Sequence, residues 1–113
     1  MSFAYFHSHI YFEPATRETA LWVRKEITSW FAVAASRLVD EPIGPHPLGM
    51  FEVDFGARDF GAIVPWLMAN RRGLSVLVHP RSGDDLLDHT DYALWLGKPL
   101  PLKLEILGGV TGA

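Results

Sequence analysis

Apolar residues follow a two-residue period in three short segments, which is the pattern of β-strands. Residues 5–12 are rich in aromatic side chains, and residues 74–79 form a short apolar run. In residues 50–55, Phe51, Val53 and Phe55 alternate with Met50, Glu52 and Asp54. Residues 36–42 predict a further short strand. Since Pro42 cannot donate to a ladder, we expect that strand at a sheet edge.

A helical period appears in two other segments, each of which predicts one amphipathic helix. The first begins near Pro14 and Thr16 and has apolar residues at 20, 23, 27, 30, 31 and 34, with Arg24 and Lys25 on the other side. The second has apolar residues at 60, 63, 64, 67 and 68 and a helix stop at Gly73. Pro65 lies inside this second pattern, so that helix either kinks there or begins there after a separate turn.

The resulting order of elements is strand, helix, strand, strand, helix, strand, which is the split βαβ arrangement. We therefore predict an α+β, ferredoxin-like sandwich with an antiparallel sheet of order 4-1-3-2 and both helices on one face. The whole chain, residues 1–113, is expected to form one domain with a core at residues 5–79. Residues 80–113 are expected to be a C-terminal extension with a helical turn at 86–90, an apolar cluster at 92–96 and an extra strand at 102–106.

Side-chain alternation gathers candidate metal ligands on the face of the sheet that the helices leave open. His7 and His9 share that face of the first strand, Glu52 and Asp54 that of the third, and His79 that of the fourth. Matching strand centres places Glu52 beside His9 and His79 near His7. Two imidazoles and one carboxylate can hold a metal and leave coordination positions open. These donors suit Fe(II) and Zn(II) alike, and an ordinary solvated polar face would show the same pattern.

Composition and charge narrow the classes of partner. The net charge is −3 and the basic residues are scattered, which argues against nucleic acid and anionic membranes. No apolar run approaches the roughly 20 residues of a membrane span, and there is no cysteine, so we expect a soluble, cytoplasmic protein. The apolar residues 92–96 need cover, either as a lid over the open face or against a second subunit, and we favour a homodimer.

Short motifs along almost the whole chain, from residue 5 to residue 107, resemble the DOPA 4,5-dioxygenase family. They are His-Ser-His-Ile-Tyr-Phe at 7–12, Pro-Ile-Gly-Pro-His-Pro at 42–47, Met-Phe-Glu-Val at 50–53, Pro-Trp-Leu at 65–67, Leu-Val-His-Pro at 77–80, Gly-Asp at 83–84, Asp-His-Thr at 88–90 and Leu-Trp-Leu-Gly at 94–97. The resemblance implies a dimeric ferredoxin-like subunit. It also implies extradiol cleavage of DOPA or a related catechol by O₂ at a non-haem iron.

Within that hypothesis the metal ligands are His9, Glu52 and His79, with His7 as an alternative ligand.

The acid/base candidates are His7, His46 and His89, since an imidazole with a pKa near 6.5 suits proton transfer. Tyr11, Arg72 and Arg81 are candidates for orienting a carboxylate-bearing substrate. Two other functions stay open: a dimeric small-ligand-binding protein without redox chemistry, and a zinc protein with a hydrolytic or structural site.

Overall fold

A computed structural model describes residues 2–107. The strands are β1 (Tyr5–Phe12), β2 (Ala34–Ala35), β3 (Gly49–Gly56), β4 (Val76–Pro80) and β5 (Leu94–Leu96). The helices are α1 (Arg17–Trp30), α2 (Ala57–Asn70) and the short α3 (Asp85–Asp88), with a 3₁₀ turn at Pro14–Thr16 before α1. The sheet is antiparallel with the order β2-β3-β1-β4-β5, which confirms the predicted ferredoxin-like order and adds a fifth strand at one edge.

Strand β1 lies at the centre of the sheet and divides the fold into two layers. Ile10 and Phe12 point towards the helices and are buried against the apolar stripe of α1, which consists of Ala20, Val23 and Ile27. Helix α2 covers the same face with Ile63, Val64 and Leu67. Burying each of the larger side chains stabilises the fold by about 1.5–3 kcal/mol, so this layer holds the sheet in place.

The register of β1 is the one that strand alternation predicts. His9 pairs with Glu52 of β3, and His7 pairs with His79 of β4. All four side chains therefore lie on the sheet face opposite the helices. The helix-facing side holds one buried polar residue of β1, Ser8, whose hydroxyl donates to the carbonyl of Val53 at 2.9 Å.

Three local predictions differ from the structure. Helix α1 ends at Trp30 rather than near Ala34, and Trp30 is 70% exposed. The strand predicted at residues 36–42 is displaced: β2 is Ala34–Ala35, and Val39 makes an isolated bridge to Met50. The ladder is interrupted between them because the hydroxyl of Ser36 accepts from the Glu52 N–H, in place of a backbone carbonyl.

The third difference concerns the C-terminal extension. The strand predicted at residues 102–106 is wrong, since residues 105–107 are helical and the fifth strand is Leu94–Leu96. This apolar cluster pairs with β4, which satisfies its backbone. Trp95 then stacks on Tyr11 with ring centroids 5.9 Å apart. The extension thus covers one end of the open face with a small apolar cluster. Its residues Asp85, Asp88 and His89 line the histidine end.

Helix α2 runs unbroken from Ala57 to Asn70 with Pro65 inside it, so neither a separate turn nor a late start is needed. Within residues 2–107 no helix has the length and apolar content needed to cross a bilayer.

Gly49 and Gly61 offer a matched test of the packing beside β3. A Cβ on Gly49 would lie 2.8 Å from the carbonyl oxygen of Val39, whereas one on Gly61, in α2, would meet nothing within 4 Å. We expect Gly49→Ala to lower the free energy of unfolding by about 1–3 kcal/mol through overpacking. Gly61→Ala should raise it by about 0.5–1 kcal/mol, since alanine favours a helix interior. Urea unfolding measures both, and equal stabilities of the two variants would contradict this packing.

Candidate metal centre

Three histidines are almost completely buried on the face opposite the helices. The exposed fraction is 3% for His9, 6% for His46 and 5% for His79. His9 lies at the centre of β1, His79 lies near the end of β4, and His46 comes from the loop between β2 and β3. His89 follows α3 and is partly buried. The loops thus bring two histidines to a face on which the strands already place His7, His9 and His79.

The closest contact joins the two strand histidines. The Nε2 atoms of His9 and His79 are 3.0 Å apart. Two nitrogen ligands about 2.1 Å from one ion, at right angles, would be about 3.0 Å apart. The backbone pairing of β1 with β4 therefore sets a separation that suits two ligands of a single metal ion.

Loop contacts hold His46 and His89 beside this pair. The Nδ1 of His46 lies 2.7 Å from the hydroxyl of Tyr11, and the loop itself is fixed by the Lys103 N–H, which donates to the Pro45 carbonyl at 2.8 Å. Ring centroids of His9 and His46 are 4.2 Å apart, and those of His79 and His89 are 4.3 Å apart.

The loop before α3 is closed by a buried carboxylate. Asp88 accepts from the N–H and the hydroxyl of Ser82, and the side chain of Asp84 accepts from the Leu87 N–H. These bonds give α3 its start and fix the position of the next residue, His89. Its Nδ1 lies 2.7 Å from the Asp85 carbonyl.

Backbone carbonyls determine the protonation of two of these rings. A carbonyl only accepts, so a neutral imidazole facing it must carry its proton on the facing nitrogen. The Nδ1 of His79 lies 2.8 Å from the Pro80 carbonyl, and that of His89 faces the Asp85 carbonyl. Both rings therefore present an unprotonated Nε2, which is the form that binds metals.

Two groups of three histidines have ligand atoms within 4.8 Å of one another, and His9 belongs to both. One consists of His7, His9 and His79, and the other of His9, His46 and His89. A third group of the same compactness contains His7, Glu52 and Asp54. The predicted set of His9, Glu52 and His79 is not among these groups.

Burial keeps the central imidazoles neutral. It lowers the pKa of His9 well below its usual value, and the neighbouring histidines add to the effect. Burial also lowers the pKa of His46 and of His79 to about 4. The pKa of His7 is lowered by burial, an effect that Asp54 partly opposes. Metal binding at neutral pH would therefore displace few protons from these rings.

The carboxylates lie to one side of the imidazole cluster. His7 Nδ1 is 3.5 Å from Glu52 Oε1, and His7 Nε2 is 3.5 Å from Asp54 Oδ1. Burial, followed by a hydrogen bond with Asp54, raises the pKa of Glu52 to about 7. Glu52 faces the Nδ1 of His9 at 3.8 Å, whereas His79 faces the Nε2.

The cluster opens to solvent through a pocket of about 260 Å³. Its walls include the five histidines His7, His9, His46, His79 and His89, together with Glu52 and Arg81. Arg81 also lines two neighbouring clefts of about 400 and 410 Å³. Arg81 is therefore shared by the histidine pocket and both neighbouring clefts.

Two of the residues predicted to contact substrate lie elsewhere. Arg72 was predicted to contact substrate, but its guanidinium stacks on Trp22 of α1, 3.7 Å from the ring centroid, on the helix side of the sheet. Tyr11 is only 1% exposed and does not line the pocket, because Trp95 covers it. Its hydroxyl instead holds His46, a role that sequence reasoning missed.

The fold and the site define a small α+β protein with a histidine-rich candidate metal centre. The model of the Dopa 4,5-dioxygenase family matches residues 6–106. The chain belongs to the Dopa 4,5-dioxygenase family.

Individual relatives agree with this assignment. A crystal structure of a proposed dioxygenase from Nostoc punctiforme superposes with a TM-score of 0.92 and is 48% identical, covering 96% of this chain and 94% of that one. A DOPA 4,5-dioxygenase from Amanita muscaria is 34% identical over 110 residues, which is 89% of this chain and 48% of that protein. A 21.2-kDa protein of uncharacterised function from Botryotinia fuckeliana is 43% identical over 90% of this chain and 62% of its own length. The chain thus spans about half to three-fifths of the two curated relatives.

The neutral imidazoles make the stability of the metal-free protein depend on pH. In the unfolded chain His9, His46 and His79 take up protons near pH 6.5, whereas in the folded protein the pKa of His46 and His79 is about 4 and that of His9 is also lowered. The unfolded state thus binds more protons between these values, and stability falls as pH drops from about 7 towards 4.

Glu52 has the opposite effect on stability, because its pKa is raised from 4.5 to about 7 and the folded state therefore binds the extra proton. This single proton does not outweigh those of the three histidines. Thermal unfolding of chelator-treated protein between pH 7.5 and 5 measures the net effect. The midpoint should fall steadily with pH, and His46→Gln should make the fall shallower. A midpoint that stays level or rises in acid would contradict neutral, buried imidazoles.

Proposed function

We propose that this protein is a metal-dependent extradiol dioxygenase that opens the ring of DOPA or a related catechol. The observation that carries the proposal is the pair of Nε2 atoms of His9 and His79, 3.0 Å apart at the base of an open pocket. The family membership and the name of the Amanita relative support the reaction class. The ring bond beside one hydroxyl-bearing carbon would break, and both atoms of O₂ would enter the product, so no external reductant is required.

The ligands we propose are His9 with members of the group His46, His79 and His89. The metal, Fe(II) in this proposal, would supply a template that holds the catechol oxygens and O₂ together. The protein contributes neutral donors whose outer nitrogens are already engaged with Tyr11, Pro80 and Asp85. Such engagement fixes ring orientation before the metal arrives. His46 and His89, predicted to move protons, thus serve better as ligands.

His7 is the acid/base group that we propose. It is half-buried at the pocket wall, and its two ring nitrogens face Glu52 and Asp54 at 3.5 Å each. One ring nitrogen would take the proton from a catechol hydroxyl, and the other would release its proton to the carboxylate that it faces. Arg81, an exposed residue of the pocket wall, would bind the carboxylate of the substrate through its planar fork of N–H donors.

A zinc protein with hydrolytic or structural function is the second candidate, and the all-nitrogen donor set favours it, because imidazole suits zinc as well as iron. Activity of Fe(II)-loaded and Zn(II)-loaded protein with catechol, DOPA and ester substrates separates the two. We also propose a cytoplasmic homodimer, as the sequence predicts, and light scattering of the purified protein tests the dimer.

Variants at His79 and His7 test the assignment of ligand and acid/base roles. After anaerobic loading with Fe(II), wild-type protein should hold about one iron per chain and convert DOPA and O₂ to a yellow ring-opened product. His79→Ala should lose iron and activity together. His7→Gln should keep its iron but lose turnover by about 10²–10⁴-fold, the usual contribution of acid–base catalysis.

Iron content and absorbance at the product band give both quantities from one sample. If wild-type protein holds iron but turns over no catechol, the dioxygenase proposal is wrong. An active His79→Ala variant would exclude His79 as a ligand.

Arg81→Ala tests the substrate class, with Arg72→Ala as the matched control on the helix side of the sheet. Losing a charged hydrogen bond to the substrate costs about 1.5–3 kcal/mol, which is roughly 10–150-fold in kcat/KM. We expect that loss in Arg81→Ala for 3-(3,4-dihydroxyphenyl)propionate and little change for unsubstituted catechol. In Arg72→Ala the ratio of kcat/KM for the two substrates should equal that of the wild type. Equal losses for both substrates would contradict a carboxylate contact at Arg81.

A further inference from the structure

Glu52 lies between two histidines of different function in the proposed enzyme. Its Oε1 atom is 3.5 Å from the Nδ1 of His7 and 3.8 Å from the Nδ1 of His9. The pairing of β1 with β3 sets this position, since His9 and Glu52 are direct partners in the ladder. The Glu52 side chain is 28% exposed, so it retains room to move towards either ring.

The Nδ1 of His9 is one of two buried side-chain atoms that have no hydrogen-bond partner among residues 2–107, and the other is the Oδ1 of Asp54. His9 itself is only 3% exposed. A buried polar atom without a partner costs about 1–3 kcal/mol. The nearest acidic oxygen is Oε1 of Glu52, slightly beyond hydrogen-bond distance.

Metal binding would change which nitrogen of His9 carries the proton. Without metal, the His79 Nε2 has a lone pair, so the 3.0 Å contact requires His9 to donate from its own Nε2. A metal on the His9 Nε2 removes that proton and leaves the neutral ring protonated at Nδ1. That N–H then points to the side where Glu52 is the available acceptor.

We propose that Glu52 is a positioning residue, which accepts a hydrogen bond from His9 Nδ1–H and thereby stabilises the metal-binding form of His9. The inference rests on the proposed metal centre and replaces the role of direct ligand that the sequence predicted for Glu52. Such outer hydrogen bonds are typically worth 10–100-fold in metal affinity. His46, His79 and His89 already have partners at Nδ1, so His9 is the proposed ligand for which this contact matters most.

Asp54 provides a matched control two residues along the same strand face. It pairs with His7 in the ladder, and its Oδ1 lies 3.5 Å from the Nε2 of His7. Both carboxyl groups therefore lie near the cluster, and a hydrogen bond joins them, but only Glu52 faces His9. If the carboxylates act on the metal only through their charge, substitution of either residue should weaken metal binding. If Glu52 acts through a hydrogen bond to His9, only substitution of Glu52 should weaken it.

The experiment measures the affinity of chelator-treated protein for Zn(II), used as an air-stable probe in competition with a chromophoric chelator. Glu52→Leu removes the acceptor, Glu52→Gln keeps a neutral oxygen, and Asp54→Asn removes the control charge. We expect Glu52→Leu to bind Zn(II) 10–100-fold more weakly than wild type. Glu52→Gln should recover part of the loss. Asp54→Asn should stay within about three-fold, because Asp54 does not face His9 and its side chain is 42% exposed.

A spectroscopic signature separates positioning from a general loss of structure. In zinc-bound wild-type protein, ¹H–¹⁵N spectra of the imidazoles should show His9 protonated at Nδ1, with that proton protected from exchange. The protection should be lost in Glu52→Leu and kept in Asp54→Asn. Thermal unfolding of the metal-free variants verifies that each is folded before affinities are compared.

Three results would overturn the inference. Unchanged affinity in Glu52→Leu would mean that the contact does not form. An equal loss in Asp54→Asn would mean that charge alone acts. A Glu52→Gln variant as weak as Glu52→Leu, with one oxygen neighbour fewer in zinc X-ray absorption, would make Glu52 a direct ligand. If wild-type protein binds no zinc or iron, the metal centre itself fails, whereas zinc binding as expected without catechol turnover removes only the dioxygenase proposal.

Discussion

The pairing of β1 with a neighbour on each side is the constraint on which the rest of the structure depends. Eight consecutive residues pair with β3, and five of them also pair with β4. Because side chains alternate, this one strand sends Ile10 and Phe12 into the helix layer and His7 and His9 to the opposite face. A shift of one residue would exchange the two sets and bury histidines against the helices. The apolar layer therefore determines the register that the site requires.

The site concentrates polar groups that are costly to bury, and their partners offset much of that cost. His46, His79 and His89 each have Nδ1 facing an oxygen at 2.7–2.8 Å. Burial, with a smaller effect of the neighbouring histidines, lowers the pKa of His9 and His46 and keeps these rings neutral. Their lone pairs are then available to a metal, but the fold is less stable in acid. Functional sites typically hold their ligand atoms in one orientation at some cost in stability.

Local pattern predicted the parts of the fold that depend on alternation and period. The predicted order of four strands, aligned at their centres, places Glu52 beside His9 and His79 beside His7, as the structure has them. The fifth strand could not be predicted in this way. The short apolar run at 94–96 pairs with β4 only after a turn whose geometry depends on buried Asp88. Ser36 likewise interrupts the ladder between β2 and Val39 through one side-chain hydrogen bond, which no periodicity indicates.

The loop residues of the site lay beyond such reasoning. His46 and His89 reach the cluster through contacts with Tyr11 and Asp85, and the loop of His46 is held by Lys103, far along the chain. The rigid Pro-His-Pro sequence was the only local signal for His46. Arg72 was misplaced because a basic residue after a helix can point to either layer, and here Trp22 attracts it by a cation–π contact.

A crystal structure of the iron-loaded protein, with anomalous scattering recorded on both sides of the iron absorption edge, tests the central claim most directly. We expect one anomalous peak per chain within bonding distance of the Nε2 atoms of His9 and His79, with Glu52 outside the coordination shell. An anomalous peak bonded to Glu52 and Asp54 instead, or none on this face of the sheet, would contradict it.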